Sequence, residues 1–211
     1  MLTVKKFVVN PIEESTYVLH DETGAAVIVD CGVLYPEEET ALLNYIKNNN
    51  LTVKHHLLTH SHFDHIFGAD FVFRTFGVAP SMHKNELATY ESAAAQMRSF
   101  VGNAFQLVTP PAGVLFSDGD VVTFGTHKLT VLSTPGHTQG GVCYYCKEEN
   151  VLLSGDTLFY RSIGRTDLFG GDYDQLINSI KQELLVLPAE TKVYPGHGPA
   201  TTIGEERQFF K

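Results

Sequence analysis

The chain is short of positive charge and of cysteine, and it has no apolar run of membrane-spanning length. Its 211 residues carry 15 lysines and arginines against 24 aspartates and glutamates, a formal net charge of −9. A nucleic-acid groove needs a concentrated positive face, so this balance argues against a nucleic-acid partner. No apolar stretch approaches the roughly 20 residues that span a bilayer, which argues against a membrane partner. The opening Met1-Leu2-Thr3-Val4-Lys5-Lys6 lacks the apolar core of a signal peptide, and the expected location is the cytoplasm. The three cysteines fit that compartment. Two of them form Cys143-Tyr144-Tyr145-Cys146, the spacing of a redox or zinc motif, but inside a run that reads as a strand. Residues three apart on a strand point to opposite faces, so these thiols are not expected to converge. No internal repeat, low-complexity block or linker interrupts the chain. A single domain over 1–211, with one sizeable core, is expected.

What the chain does have is histidine set beside carboxylates. Residues 60–65 read His60-Ser61-His62-Phe63-Asp64-His65, four metal-capable side chains in six positions. They follow residues 53–59, a short β-branched, leucine-containing run that reads as a buried strand. The cluster therefore occupies the turn leaving a strand's C-terminal end, where open α/β sheets place their ligands. Neither a solvated face nor a core accident accounts for that density.

Three later segments repeat the design. Thr134-Pro135-Gly136-His137-Thr138 follows a strand-like stretch at 128–133, Asp156 lies just past an apolar strand at 151–155, and Tyr194-Pro195-Gly196-His197-Gly198 closes a strand at 192–194. Proline and glycine beside the histidines fix the turns and let the backbone approach closely. Imidazole and carboxylate ligands without a thiolate suit zinc, iron or manganese. A site that keeps a coordination position open is catalytic rather than structural.

The run His60-x-His62-x-Asp64-His65, followed in order by His137, Asp156 and His197, resembles the metallo-β-lactamase superfamily in its compact glyoxalase II-like (hydroxyacylglutathione hydrolase-like) group, over essentially the whole chain. The resemblance implies an α/β (α+β) fold, a four-layer αββα sandwich with the metals at one edge of the sheets. It implies two divalent ions, zinc first, with iron and manganese also suited. His60, His62 and His137 would hold one; Asp64, His65 and His197 would hold the other; Asp156 would bridge them. The implied activity is hydrolysis of a small-molecule acylated thiol such as S-D-lactoylglutathione by a hydroxide shared between the metals. Asp64 would act catalytically, orienting that hydroxide and accepting its proton. Asp30-Cys31-Gly32 stands where the family has Asp-Pro-Gly, and Phe67 where relatives have a small residue. Full-length glyoxalase II adds a helical C-terminal domain that supplies much of its glutathione contact; only residues 198–211 follow His197, so no such domain is expected.

Ser162-Ile163-Gly164-Arg165-Thr166-Asp167 resembles a Gly-Arg-Thr-Asp segment shared by compact glyoxalase II-like proteins and persulfide dioxygenases. Arg165, or Arg161, would offer a bidentate guanidinium to an anionic substrate group, or Arg165 would simply clamp Asp167. Lys147 is a further candidate substrate contact. The alternative activity is a mononuclear iron persulfide dioxygenase, with iron held by His60, His137 and Asp156 alone. Lactonase and β-lactamase activity fit the same metal chemistry, and a non-catalytic metal-binding module would require a lost ligand, which the chain does not show.

Elsewhere the pattern predicts strands at 2–9, 16–20 and 26–30, helices at 37–49, 69–76, 84–100 and 173–187, a hairpin of strands 121–124 and 128–133, and a loop over 103–119. His20, His55, His56, His83 and His127 read as surface or satisfied histidines; His83 follows a strand-like run at 79–82, a position that could border the cleft, though nothing in the sequence demands it.

Overall fold

The computed structural model describes residues 1–102 and 105–210. Strands β1 (Thr3–Val9), β2 (Glu14–His20), β3 (Ala25–Val29), β4 (Thr52–Leu57), β5 (Pro80–His83) and β6 (Leu115–Phe116) form one sheet in that order. The first three pair antiparallel and the rest parallel. The second sheet takes the order β14 (Thr201–Thr202), β13 (Lys192–Pro195), β10 (Val151–Gly155), β9 (Val142–Cys146), β8 (His127–Ser133), β7 (Val121–Phe124). A separate hairpin joins β11 (Leu158–Phe159) to β12 (Ser162–Ile163).

The strands are apolar on both faces because both faces are covered. Tyr17, Leu19, Val27, Val29 and Leu57 of the first sheet meet Val122, Leu129, Val131, Tyr144 and Leu153 of the second in one buried cluster. The alternate residues Val18, Ala26 and Ile28 pack outward against Leu42 and Ile46 of α1 (Pro36–Asn48) and Phe71 and Val72 of α3 (Ala69–Phe76). Cys143, Tyr145, Leu152 and Val193 pack outward against Leu176 of α5 (Tyr173–Ser179) and against Ile180 and Leu184. Helix, sheet, sheet, helix is the four-layer sandwich. Each fully buried leucine here contributes roughly 1.5–3 kcal/mol of transfer free energy. The outward Cys143 and inward Cys146 lie in different clusters, and the three cysteines are free and buried.

Local signals place the helices. Pro36 opens α1 with Glu37, Glu38 and Glu39 in its first turn, and Glu38 accepts from the Leu34 and Tyr35 amides. The expected helix from 84 begins as a 3₁₀ turn, Lys84–Glu86, and becomes α4, Leu87–Val101. The expected helix over 173–187 ends regular winding at Ser179 and continues as a π turn over Ile180–Leu184. The loop expected over 103–119 starts on Asn103, which with Ala104 lies outside the described residues. Its later part carries β6, drawn into the sheet by parallel pairing with Met82 and His83 and by the Val114 amide donating to Ser81 Oγ. No helix among the described residues is long and apolar enough to cross a membrane.

Candidate metal centre

The loops leaving β4, β8, β10 and β13 deliver His60 to His65, His137, Asp156 and His197 to one edge of the sandwich. α2 (Phe63–Ile66) begins inside the first of these loops and carries Asp64 and His65. Two glycines allow the convergence. A Cβ on Gly196 would collide with Asp156 Oδ1, and Gly136 adopts φ +132° where a side chain would meet the Leu176 backbone.

The nitrogen atoms His62 Nδ1 and His60 Nε2 lie 2.9 and 3.2 Å from His137 Nε2. Bonds of about 2.1 Å to one tetrahedral zinc put nitrogens about 3.4 Å apart, so this triad has the spacing of a ligand set. A second group gathers beside it: His197 Nε2 is 3.3 Å from Asp64 Oδ2, and His65 Nε2 is 3.8 Å from the same oxygen. Asp156 stands between the groups. Its Oδ1 is 3.3 Å from His65 Nε2, and its Oδ2 is 3.7 Å from both His137 Nε2 and His197 Nε2. His65 Nε2 and Asp156 Oδ1 are buried without a hydrogen-bond partner, a costly arrangement unless a cation lies between such atoms. The residues fit two metal ions. All seven ligand positions named from the sequence are brought together.

The electrostatics divide the histidines: His60, His62 and His137 are held neutral, while His65 and His197 are drawn towards the charged form by ionised carboxylates. Burial holds His60 well below the ordinary histidine range and pushes His62 down to about 4, with His137 lowered in the same way. Burial alone would raise Asp64 and Asp156, but the neighbouring histidines, His65 above all, outweigh it and hold both below the usual carboxylate range. At His65 burial opposes charge, yet Asp156, Asp64 and Asp30 together raise it well above the ordinary value.

Residues outside the motif aim the candidate ligands. His65 Nδ1 pairs with Asp30 Oδ2 at 3.0 Å, His137 Nδ1 donates to the Arg165 carbonyl at 2.7 Å, and His197 Nδ1 donates to the Ile12 carbonyl at 3.1 Å. Such outer partners fix tautomer and ring orientation. Asp30 adopts φ +53° and also accepts from the Thr59 amide and hydroxyl, both at 2.7 Å. Glu86, fully buried, accepts from the Ser61 amide (2.8 Å), the Thr138 hydroxyl (2.8 Å) and the Gly140 amide (3.1 Å), tying the loop of His60 and His62 to that of His137. Burial pushes its carboxyl up to about 7 while those donors pull it back. Nothing local in sequence marks Glu86; its partners are 25 to 54 positions away.

The candidate substrate contacts separate. Arg165 lines the cavity, with its guanidinium held by Asp167 at 2.7 and 2.8 Å. Arg161 turns away, its guanidinium stacked over Tyr160 (4.9 Å) and Phe209 (5.6 Å) and its amide bound to Glu206. Lys147 lies at the opposite end of the sheet. It follows Cys146, which pairs with Val151 at the start of β10, whereas Asp156 follows the end of β10. Five strand residues at about 3.3 Å each separate those ends, so Lys147 is corrected out of the site. His83 is buried and caps the 3₁₀ turn rather than bordering the cavity. His127 sits between Asp21 and Glu149, as a satisfied histidine should. His56 corrects the expectation: its register beside Ile28 buries it, and neither ring nitrogen has a partner.

A cavity of about 600 Å³ opens over His62, Asp64, His137, Asp156 and His197. Ile12, Phe63, Phe100, Phe159, Ile163, Leu168 and Phe169 form its walls, with Gln96, Ser99 and Arg165 as further polar groups. Phe67 meets Phe63 edge to face, with ring centroids 5.6 Å apart, and is not itself among the residues lining the cavity.

Comparison with known proteins agrees with this arrangement. The family model described as "Metallo-beta-lactamase superfamily" matches residues 9–197. The chain is 36% identical to "Probable metallo-hydrolase YqgX" of Bacillus subtilis over 96% of its own length and 93% of that protein's. It is 31% identical to "Hydroxyacylglutathione hydrolase GloC" of Haemophilus influenzae, covering 95% and 92%. Among solved structures, BLEG-1 B3 metallo-beta-lactamase superposes with TM-score 0.89 at 40% identity, covering 98% of this chain and 97% of that one. TTHA1623 in a di-iron-bound form gives 0.85 at 35%, covering 98% of each chain. ETHE1 from Myxococcus xanthus gives 0.79 at 28%, covering 99% and 83%.

Proposed function

This chain belongs to the metallo-beta-lactamase superfamily, and from that membership we propose that it is a dinuclear-metal thioester hydrolase with glyoxalase II-like chemistry, acting on acylated thiols. The observation that carries the reading is Asp156 Oδ2, equidistant at 3.7 Å from His137 of one triad and His197 of the other. His60, His62 and His137 would hold one ion, Asp64, His65 and His197 the second, and Asp156 both. Zinc suits these ligands first, and iron suits them too, as the di-iron form of TTHA1623 illustrates for that protein. When bound, the ions supply Lewis acidity to a carbonyl oxygen and lower the pKa of water towards about 7.

The chain's own residues do the rest. Asp64, kept ionised and facing the cavity, accepts the proton of the attacking water. The carbonyl of Arg165 and the carboxylate of Asp30 hold His137 and His65 in register through the reaction. The aromatic walls restrict water around the reacting carbonyl. A thiol with a pKa of about 8.5 departs readily as thiolate, whereas an amine needs a proton donor. No acid outside the ligand set lines the cavity among the described residues, which favours a thioester over an amide.

The likeness to ETHE1 fits a second reading, a mononuclear iron persulfide dioxygenase on His60, His137 and Asp156. It leaves Asp64, His65 and His197 gathered without a role. The two differ in stoichiometry. Hydrolysis releases one thiol and one acid per thioester consumed with no uptake of dioxygen, and uptake of dioxygen on a persulfide would decide for the second.

A further inference from the structure

Resting on the thioesterase reading, we infer that the preferred substrate carries an uncharged, apolar group beside the thioester, an alkyl or aryl chain, rather than the doubly carboxylated thiol of a glutathione conjugate. Four separate parts of the chain build apolar wall over the metal centre: Ile12 from the β1–β2 turn, Phe63 from α2, Phe100 from α4, and Phe159, Leu168 and Phe169 from the β11–β12 hairpin and the loop after it. Two of these rings are left in water, Phe169 at 86% exposure and Phe100 at 57%. A lone exposed apolar side chain needs no explanation, but a group of them at the mouth of one cavity marks a binding surface.

The charge distribution points the same way. Among the described residues Arg165 is the one lysine or arginine lining the cavity, and its Nε and Nη2 engage the Asp167 carboxylate, which offsets its charge. A substrate carboxylate at its remaining N–H groups would meet a guanidinium already neutralised by Asp167. The chain's net charge of −9 adds a long-range repulsion towards anions. The cavity of about 600 Å³ has ample room for an extended chain, within the range that encloses drug-sized ligands. The floor of the cavity fixes where the reacting carbonyl must lie, so the apolar walls are left to the flanking groups.

The reaction is R–CO–S–R′ + H₂O → R–COOH + R′–SH. The carbonyl C–S bond breaks, a C–O bond forms, the sulfur leaves with the bonding pair, and the proton taken up by Asp64 ends on the thiolate or in solvent. No oxidant or reductant is needed. The apolar group sits either on the acyl side, R, or on the thiol side, R′, and the test separates them.

Binding is measured first, so that the answer does not depend on turnover. The metal-loaded protein is titrated calorimetrically with the thioethers S-hexyl-N-acetylcysteamine, S-methyl-N-acetylcysteamine and S-methylglutathione. A methylene moved from water into an apolar pocket is worth roughly a factor of four. Five added methylenes, even half-sequestered, give the hexyl compound at least about tenfold tighter binding than the methyl one. S-methylglutathione binds no tighter than S-methyl-N-acetylcysteamine, and Phe169→Ala with Phe100→Ala shrinks the hexyl preference. Equal binding of hexyl and methyl compounds, or tighter binding of the glutathione thioether, overturns the inference. Turnover of hexanoyl-N-acetylcysteamine, acetyl-N-acetylcysteamine and S-D-lactoylglutathione follows. A higher kcat/KM for the hexanoyl than for the acetyl thioester places the apolar group on the acyl side, and equal values with the hexyl preference intact place it on the thiol side. Failure of all three thioesters, with the hexyl preference intact, removes the thioesterase reading and leaves the apolar pocket standing.

Discussion

His137 Nδ1 donates to the backbone carbonyl of Arg165 at 2.7 Å, so the Gly-Arg-Thr-Asp loop reaches the candidate metal centre through its main chain. The Arg165 side chain points along the cavity wall to Asp167 instead. An exposed pair of this kind contributes little to stability.

Arg165→Ala is therefore expected to retain full metal content, because the carbonyl remains. Gly164→Ala, whose Cβ would collide with the Asp156 carbonyl, is expected to lower metal affinity about 10–100-fold while Arg165→Ala changes it by less than about threefold. Metal analysis after dialysis against a graded chelator series checks both.

Glu86 is expected to matter out of proportion to its distance from the chemistry. Glu86→Ala leaves the Ser61 and Gly140 amides without their buried acceptor, a loss of at least about 2 kcal/mol. It also frees the loops of His60, His62 and His137 from one another. Affinity should fall at the triad of these histidines more than at the group of Asp64, His65 and His197. Urea unfolding and a competitive chelator titration measure the two effects, and an equal loss at both sites would assign Glu86 to general stability only.

His56 sets a pH dependence. Burial lowers its pKa from 6.5 to about 3. The unfolded chain therefore binds a proton that the folded one does not between those values, and stability present above pH 6.5 is lost as pH falls, by about 1.4 kcal/mol per unit. His56→Leu removes both the orphaned nitrogens and this sensitivity. The variant should be more stable than the parent at pH 7 by about 1 kcal/mol, with the gap widening towards pH 5. Unfolding curves at the two pH values check the sign.

His62→Ala should leave the fold largely intact and cut hydrolysis at least about a hundredfold, since losing a ligand costs more than losing an outer partner. Asp156→Ala should be at least as severe, because it removes the carboxylate lying between the two groups. Circular dichroism beside the rate assay separates misfolding from lost chemistry.

The candidate ligands were legible because each sits one short turn beyond an apolar strand, and the pattern repeats along the chain. The layers were legible because strands apolar on alternate residues, such as Tyr17-Val18-Leu19, must be covered on both faces. Asp30 and Glu86 were not, since their value lies in partners brought close only by folding. Arg161 and Lys147 were misplaced for a related reason. A positive charge near a motif says nothing about which end of a strand it occupies, and the antiparallel pairing of β9 with β10 carries Lys147 away. His56 is buried because β4 lies inside a sheet covered on both faces and sets it beside Ile28, a placement its residue type does not announce.

The most direct test is hydrolysis as a function of metal equivalents returned to the metal-free protein, with thiol release from a thioester as the readout. The dinuclear account expects the rate to climb to a plateau at close to two equivalents per chain, with neither triad sufficient alone. Full thiol release at one equivalent would contradict it, as would a singly loaded iron protein that consumes dioxygen on a persulfide and leaves thioesters intact.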